Sequence, residues 1–227
     1  MTALWVTIAI VLDGAVALVG GVLPERWLQR QRPLALGFAA GALVAAAAFD
    51  LMPEAYETRG LGAVGWLAGS IAVLALAERL VEHHHEHADM TAFALLGSDA
   101  LHNFGDGIAI AAAFLASPRL GAITAVAVIV HETPEELADY AILRARGMTK
   151  RRALVALALI QLTAGIGAAA TLLGAGVGDY NGIMLAIAAG TFLYIAVAEL
   201  VPEIARAGKL RAALAVVVGA AVIALVS

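Results

Sequence analysis

The chain has 227 residues, of which 62% are apolar, 14% are charged and none is cysteine. Its mean hydropathy of +0.91 excludes an ordinary water-soluble domain, because the surface of such a domain must be largely polar. The lack of cysteine excludes disulfides and thiolate metal ligands. The formal net charge of −4 says less than the placement of the charges, and no nucleic-acid partner is expected.

Eight apolar segments are long enough to cross a bilayer core as helices, which takes roughly 20 residues each. Continuous runs of Ala, Leu and Val favour helices over the alternating strands of a membrane barrel. The first segment lacks the features of a signal peptide and is expected to be a permanent span. We therefore predict an all-α polytopic membrane protein with one transmembrane domain over residues 1–227. The expected spans are 2–23, 34–53, 61–81, 91–116, 120–143, 152–174, 182–201 and 210–227.

The basic residues predict how these spans are oriented. Of the 14 Lys and Arg residues, all except Arg59 and Arg119 lie in or beside the connections that follow the odd-numbered spans. Because cytoplasmic loops are enriched in Lys and Arg, both termini are expected outside, with the 82–89 loop in the cytoplasm. The compact loops and Ala-rich spans favour a bacterial inner membrane.

Two segments of the chain resemble each other. Residues 39–54 (AAGALVAAAAFDLMPE) and 188–203 (AAGTFLYIAVAELVPE) are identical at seven of sixteen positions with an offset of 149, and Asp50 corresponds to Glu199. Because the two spans run in opposite directions, this match predicts an inverted repeat. Spans 1–3 would then be related to spans 6–8, with spans 4 and 5 between them. Chance similarity between Ala-rich helices is the alternative.

The fourth and fifth spans carry imidazole and carboxylate groups at mid-membrane depth. His102 and Asp106 lie one helical turn apart, and so do His131 and Glu135. Charges at the bilayer centre are costly, so these helices are expected to face each other or a wet cavity. A bound dication would offset the repulsion between the carboxylates. This set of ligands suits zinc, and also iron(II), manganese or cadmium.

Two residues next to these pairs extend the predicted site. Asn103 and Glu132 lie one residue further along their helices and are expected to line a second, adjoining metal position. Asp106 and Glu135 would then bridge the two ions. Three more acids, Asp99, Glu136 and Asp139, have two open interpretations, and one of them is a place in the ion pathway. Otherwise Asp99 is a helix-entry or interface residue, Glu136 points away from the pathway, and Asp139 faces the cytoplasmic headgroups.

The HNFGDG and HETPEE segments resemble the paired metal-binding motifs of the Zrt/Irt-like (ZIP) family of divalent metal transporters. The resemblance extends to the eight spans, the outside termini and the His-bearing loop. It implies a transporter rather than an enzyme, with the metal as transported ligand and no cofactor, and a binuclear site between spans 4 and 5. The ligands that it implies are His102, Asn103, Asp106, His131, Glu132 and Glu135. Glu135 stands where many eukaryotic members have His, which makes the chain more similar to prokaryotic members.

Several positions depart from the family pattern or keep two interpretations. Gln161 in the sixth span stands at about the place where some members supply a Glu, so the second ion's ligand set stays open. Asp50 falls where the second span often carries His, and both Asp50 and Glu199 are interpreted as pathway residues or helix-end acids. Residues 82–89 (EHHHEHAD) resemble the family's His-rich loop, for weak metal capture or as a solvated polar loop. A homodimer is also open.

Two other functions remain alternatives. The start of HETPEE is similar to the HExxH motif of zinc proteases, but position 135 is Glu rather than His. An intramembrane metal-dependent hydrolase would use Asp106 and Glu135 as a two-metal platform. A proton or monovalent-ion carrier would use the acids alone. Because the sequence has no nucleotide-binding motif, we favour gradient-driven or passive metal import into the cytoplasm.

We expect replacement of His83, His84, His85 and His87 by Ser to leave metal uptake intact and to change only its rate or its regulation by metal. Loop histidines lack the fixed geometry that packed helices give to a selectivity site. The check is metal uptake by cells that express the variant at the wild-type level. Complete loss of uptake would contradict this expectation.

Overall fold

The computed structural model describes residues 1–19, 25–83, 92–177, 180–208 and 210–226. Within these ranges the chain forms eight helical rods and no strand, which confirms the predicted all-α architecture. Five rods are single α-helices: α1 (Thr2–Val19), α3 (Leu61–His83), α4 (Ala92–Ala116), α5 (Pro118–Ala145) and α8 (Leu210–Val226). Parts of the predicted spans and loop lie outside the described residues, namely 20–23, 91 and 227, together with His84, His85 and His87.

The other three rods change their winding along their length. In α2, an α-helix (Glu25–Ala45) passes into a π-helix (Ala46–Leu51) and then back into an α-helix (Met52–Arg59). In α7, the same order gives Tyr180–Tyr194, a π-helix at Ile195–Leu200, and Val201–Ala207. In α6, two α-helical segments (Lys150–Ile160 and Leu162–Gly174) meet at Gln161.

The two π-helices begin 149 residues apart, which is also the offset between the two similar sequence segments. Asp50 lies inside the first π-helix and Glu199 inside the second. Single-turn π-helices are rare in proteins, and a large share of those that occur lie at functional sites. Their matching positions support the repeat, while the inverted arrangement of spans 1–3 and 6–8 stays a prediction.

The ends of α5 follow from its sequence. The Ser117 hydroxyl accepts a hydrogen bond from the Leu120 amide at 3.1 Å, and Pro118 occupies the first turn, where its missing N–H leaves no helix bond unmade. Gly147, with φ of 87°, lies just beyond the other end of the helix. Between these two ends the helix runs unbroken past His131 to Ala145, and Pro134 is buried inside it.

Among the described residues, three helical stretches are long and apolar enough to cross a membrane. They are Arg30–Arg59, Lys150–Gly174 and Tyr180–Ala207. Three shorter apolar stretches are Thr2–Ala15, Leu61–Ala77 and Leu210–Val226. Six side chains of the predicted metal site lie outside this set, on α4 and α5, and Gln161 lies within Lys150–Gly174.

The rods pack into two groups that meet around α4 and α5. On one side α2 packs against α8 and α3 packs against α7, while on the other α1 contacts α4, α5 and α6. Contacts between α2 and α5 and between α4 and α7 join the two groups. The site helices α4 and α5 are thereby enclosed by neighbours from both groups.

Glycines allow α4 and α6 to approach closely. A Cβ atom on Gly107 of α4 would overlap the carbonyl oxygen of Ala164, and one on Gly167 of α6 would overlap the carbonyl oxygen of Phe104. Small residues at such crossings let two membrane helices bring their backbones together. This crossing places Gln161 of α6 close to the polar faces of α4 and α5.

We expect Gly167→Val to lower the stability of the fold by about 1–3 kcal/mol, since added side-chain volume must push α4 and α6 apart. Gly165→Val is the matched control, because a Cβ at Gly165 has no neighbouring atom within 4 Å. Thermal unfolding of both variants in detergent measures the difference. Equal unfolding temperatures for the two variants would contradict the proposed role of this crossing.

Candidate metal centre

Polar side chains cluster where α4 faces α5. Asn103, Asp106, His131 and Glu132 are at most 1% exposed, although each carries a charged or strongly polar group. The side chain of His102 is 12% exposed. Buried polar groups require partners, so the contacts among these side chains determine what the cluster can do.

The two imidazoles point their Nε2 atoms at each other. These atoms lie 3.0 Å apart, and the ring centroids are separated by 5.2 Å. The Nδ1 atom of His131 lies 3.1 Å from the carbonyl oxygen of Ala127. A carbonyl only accepts hydrogen bonds, so Nδ1 carries the proton, and the Nε2 of a neutral His131 presents its lone pair to the cluster. Metal-binding histidines in proteins are commonly oriented in this way.

Two carboxylates approach the same pair of nitrogens. Oε1 of Glu132 lies 3.2 Å from Nε2 of His102, and Oδ2 of Asp106 lies 3.3 Å from Nε2 of His131. The donor atoms of His102, Asp106, His131 and Glu132 all lie within 4.8 Å of one another. Two ligand atoms bound tetrahedrally at the usual zinc distances are roughly 3.3 Å apart. The four donor atoms therefore have spacings that fit a small dication.

A second group of possible ligands adjoins the first and shares His102. Nε2 of His102 lies 3.6 Å from Oε2 of Glu135, and the donor atoms of His102, Glu135 and Glu199 lie within 4.8 Å of one another. The side chain of Glu135 is 25% exposed, so this group is more open than the buried one. Glu199 comes from the π-helix of α7, and the sequence alone leaves its role open.

The structure divides the acids differently from the sequence-based prediction. Helical spacing groups Glu135 with the two histidines and assigns Glu132 to an adjoining position. In the structure Oε1 of Glu132 lies 3.2 Å from Nε2 of His102 in the buried group. Glu135 lies 3.6 Å from the same nitrogen, but it groups with Glu199 and not with His131. A glutamate side chain is long enough to cross from one helix face to the next, so helix spacing alone does not determine which acid meets which histidine.

Gln161 holds Glu132, a member of the buried group, by a hydrogen bond from α6. Its Nε2 donates to Oε2 of Glu132 at 3.2 Å and to Oε1 of Glu136 at 2.6 Å. Both acceptors are carboxylates, so the nitrogen of the amide must face them. This holds one oxygen of Glu132 while its other oxygen faces His102. Gln161 thus positions a candidate ligand and is not placed beside the imidazoles.

Asn103 is turned toward its own helix. Its Nδ2 donates to the carbonyl oxygen of Asp99 at 3.1 Å and to the carboxylate of the same residue at 3.0 Å. Its Oδ1 is buried and accepts no hydrogen bond from the described residues. That oxygen is available to a cation. In the described part of the chain, Asp50 belongs to neither ligand group.

Comparisons with known proteins agree with this chemistry. A family model described as ZIP zinc transporter matches residues 81–227. The zinc transporter ZIP10 of Mus musculus is 45% identical over 116 residues, which are 49% of this chain and 14% of that protein. The zinc transporter ZIP6 of Homo sapiens is 40% identical over 116 residues, 49% of this chain and 15% of that protein. The zinc transporter ZIP4 of Rattus norvegicus is 43% identical over 105 residues, 46% of this chain and 16% of that protein. The chain spans only a small part of the length of these relatives.

We expect Gln161→Leu to lower the free energy of unfolding of the metal-free protein by about 1–3 kcal/mol, since it leaves two buried carboxylates without their shared donor. Leu162→Ala is the control, because the Leu162 side chain next along the helix is 62% exposed. Thermal unfolding in a metal chelator measures both variants. A Gln161→Leu variant as stable as the wild type would contradict the positioning role of Gln161.

Proposed function

Because the chain belongs to the ZIP zinc transporter family, we propose that this integral membrane protein carries zinc or a related divalent metal across its membrane between α4 and α5. The observation that carries this proposal is the approach of two imidazole nitrogens to 3.0 Å, with carboxylates of both helices around them. The curated relatives are named zinc transporters, which favours transport over the hydrolase alternative.

The donor chemistry supports a transition-metal cargo. Imidazole nitrogen combined with carboxylate oxygen is a usual ligand set of zinc, and it also accepts iron(II), manganese and cadmium. Both oxygens of Asp106 and Oε1 of Glu132 accept no hydrogen bond from the described residues. Buried carboxylates without donors are unfavourable, and a dication would supply the missing positive charge. Two imidazoles that converge on one point are typical of a transition-metal site, so a carrier of protons or monovalent ions explains them less well.

The difference in exposure between the two ligand groups supports a route for the ion. The buried group (His102, Asp106, His131 and Glu132) adjoins the more open group (His102, Glu135 and Glu199) through the shared imidazole. One turn after Glu199, Glu203 pairs with Arg32 at 2.9 Å. The distribution of basic residues assigns that end of the bundle to the cytoplasm.

The proposed direction of transport is therefore inward. The ion passes from the buried group to Glu135 and Glu199 and then enters the cytoplasm, in a protein with both termini outside. The relatives reported above come from animals, and the bacterial inner membrane is proposed here from the compact loops and Ala-rich spans. The energy comes from the gradient of the metal or from another gradient.

We expect His102→Ala to reduce zinc uptake at least about tenfold, because His102 is shared by both ligand groups. Thr133→Val on α5 is the control, since the Thr133 hydroxyl bonds the carbonyl of Ile129 in its own helix at 2.6 Å. Zinc entry into proteoliposomes that contain a fluorescent indicator measures both variants. Unchanged uptake by His102→Ala would contradict the proposal. Competition with cadmium, iron(II) and manganese in the same assay ranks the ions.

A further inference from the structure

A buried carboxylate on α1 has no role in the site described so far. Asp13 is 0% exposed, and neither of its carboxylate oxygens accepts a hydrogen bond from the described residues. Burial of such a group without a donor is unfavourable unless a cation or a proton compensates it. Asp13 belongs to no recognised sequence motif and is the one charged residue in the apolar helix Thr2–Val19.

Asp13 lies on the side of the site where α1 packs against α4, α5 and α6. The next residue is Gly14, and a Cβ built there would lie 3.7 Å from Cβ of Gln161. Asp13 interacts electrostatically with three acids of this region, Glu132, Asp106 and Glu136, and with one base, His131. When it is ionised, its carboxylate adds negative charge to a cluster that already has an excess of acids.

Other oxygen acceptors in this cluster are also unused. Oδ1 of Asp106 accepts no hydrogen bond from the described residues, although Oδ2 of the same carboxylate lies 3.3 Å from Nε2 of His131. The amide oxygens of Asn103 and Gln161 are buried and likewise without a donor in the described part of the chain. Carboxylate and amide oxygens without donors are the groups that a divalent cation binds.

We propose that Asp13 is a metal ligand supplied by α1, and that it completes a second divalent-cation position beside the ion held by His102 and His131. Asp106 is the shared ligand, with one oxygen toward the imidazoles and the other toward the second ion. This inference rests on the proposed function, because it adds a residue to the same site. It makes α1 a contributor to metal binding along with α4 and α5.

Zinc binding at equilibrium to the purified full chain in detergent tests this proposal. All proteins carry Ser at His83, His84, His85 and His87, so that loop histidines do not contribute. This otherwise unaltered protein is expected to bind two zinc ions per chain. Asp13→Asn keeps the size of the side chain, removes its charge and is expected to bind one zinc ion. The exposed Glu57 provides a control, since Glu57→Gln removes a carboxylate remote from the site and is expected to leave two.

A second variant tests whether the carboxylate of Asp13 is what binds the second ion. Asp13→Glu keeps a carboxylate on α1 and lengthens the side chain by one methylene. This variant is expected to bind two zinc ions. Two ions bound by Asp13→Asn, or one ion bound by Asp13→Glu, would overturn the inference and leave the proposed function intact.

Two further outcomes are distinguishable from these. If the otherwise unaltered protein bound no zinc, the proposed function would fail and the role of Asp13 would fail with it. In the metal-free state Asp13→Asn is expected to unfold at or above the wild-type temperature, since it removes an uncompensated buried charge. An Asp13→Asn chain that does not fold would therefore also contradict the proposal, which makes the charged carboxylate a burden without metal.

Discussion

Two imidazoles and several carboxylates meet between α4 and α5, where little water reaches them, and the arrangement of the surrounding helices depends on holding these groups together. Like charges at this depth repel each other strongly because the medium has a low dielectric constant. The hydrogen bonds of Gln161 to Glu132 and Glu136 relieve part of this repulsion. Under the proposed function, a divalent cation supplies the positive charge that the remaining acceptors lack.

Close packing of the helices keeps these groups in register. The absence of side chains at Gly107 and Gly167 brings the backbones of α4 and α6 together, and this contact holds Gln161 against the site. From the other side, the π-helix of α7 places Glu199 near His102 and Glu135. The wider winding of a π-helix changes the direction of the residues that follow it. Close helix packing and the π-helix of α7 together set the positions of the candidate ligands.

Much of this arrangement follows from sequence patterns. Hydropathy predicts a helical membrane protein, because long apolar runs in lipid must satisfy their own backbone hydrogen bonds. His102 and His131 are recognisable because ionisable groups at mid-span, each with acids one turn away, are costly in lipid and mark ion pathways. The paired HNFGDG and HETPEE segments also indicate the family, which the match over residues 81–227 confirms.

The remaining features depend on contacts between helices that are distant in sequence. The grouping of Glu132 with His102, and of Glu135 with Glu199, depends on side-chain directions and on the neighbouring helix α7, which helix spacing does not specify. Asp13 belongs to no recognised motif, and its burial depends on the packing of α1 against α4, α5 and α6. A single acid in an apolar span was the available signal, since such residues are rare and commonly functional.

X-ray absorption at the zinc edge tests the metal site between α4 and α5 most directly, because it reports the atoms bound to the ion. The sample is the chain with its loop histidines replaced by Ser, loaded with one equivalent of zinc. We expect nitrogen and oxygen ligands at roughly 2.0–2.2 Å, with outer scattering from two imidazoles that falls to one in His131→Ala. A spectrum with oxygen ligands alone, unchanged by His131→Ala, would contradict a site built on the two histidines.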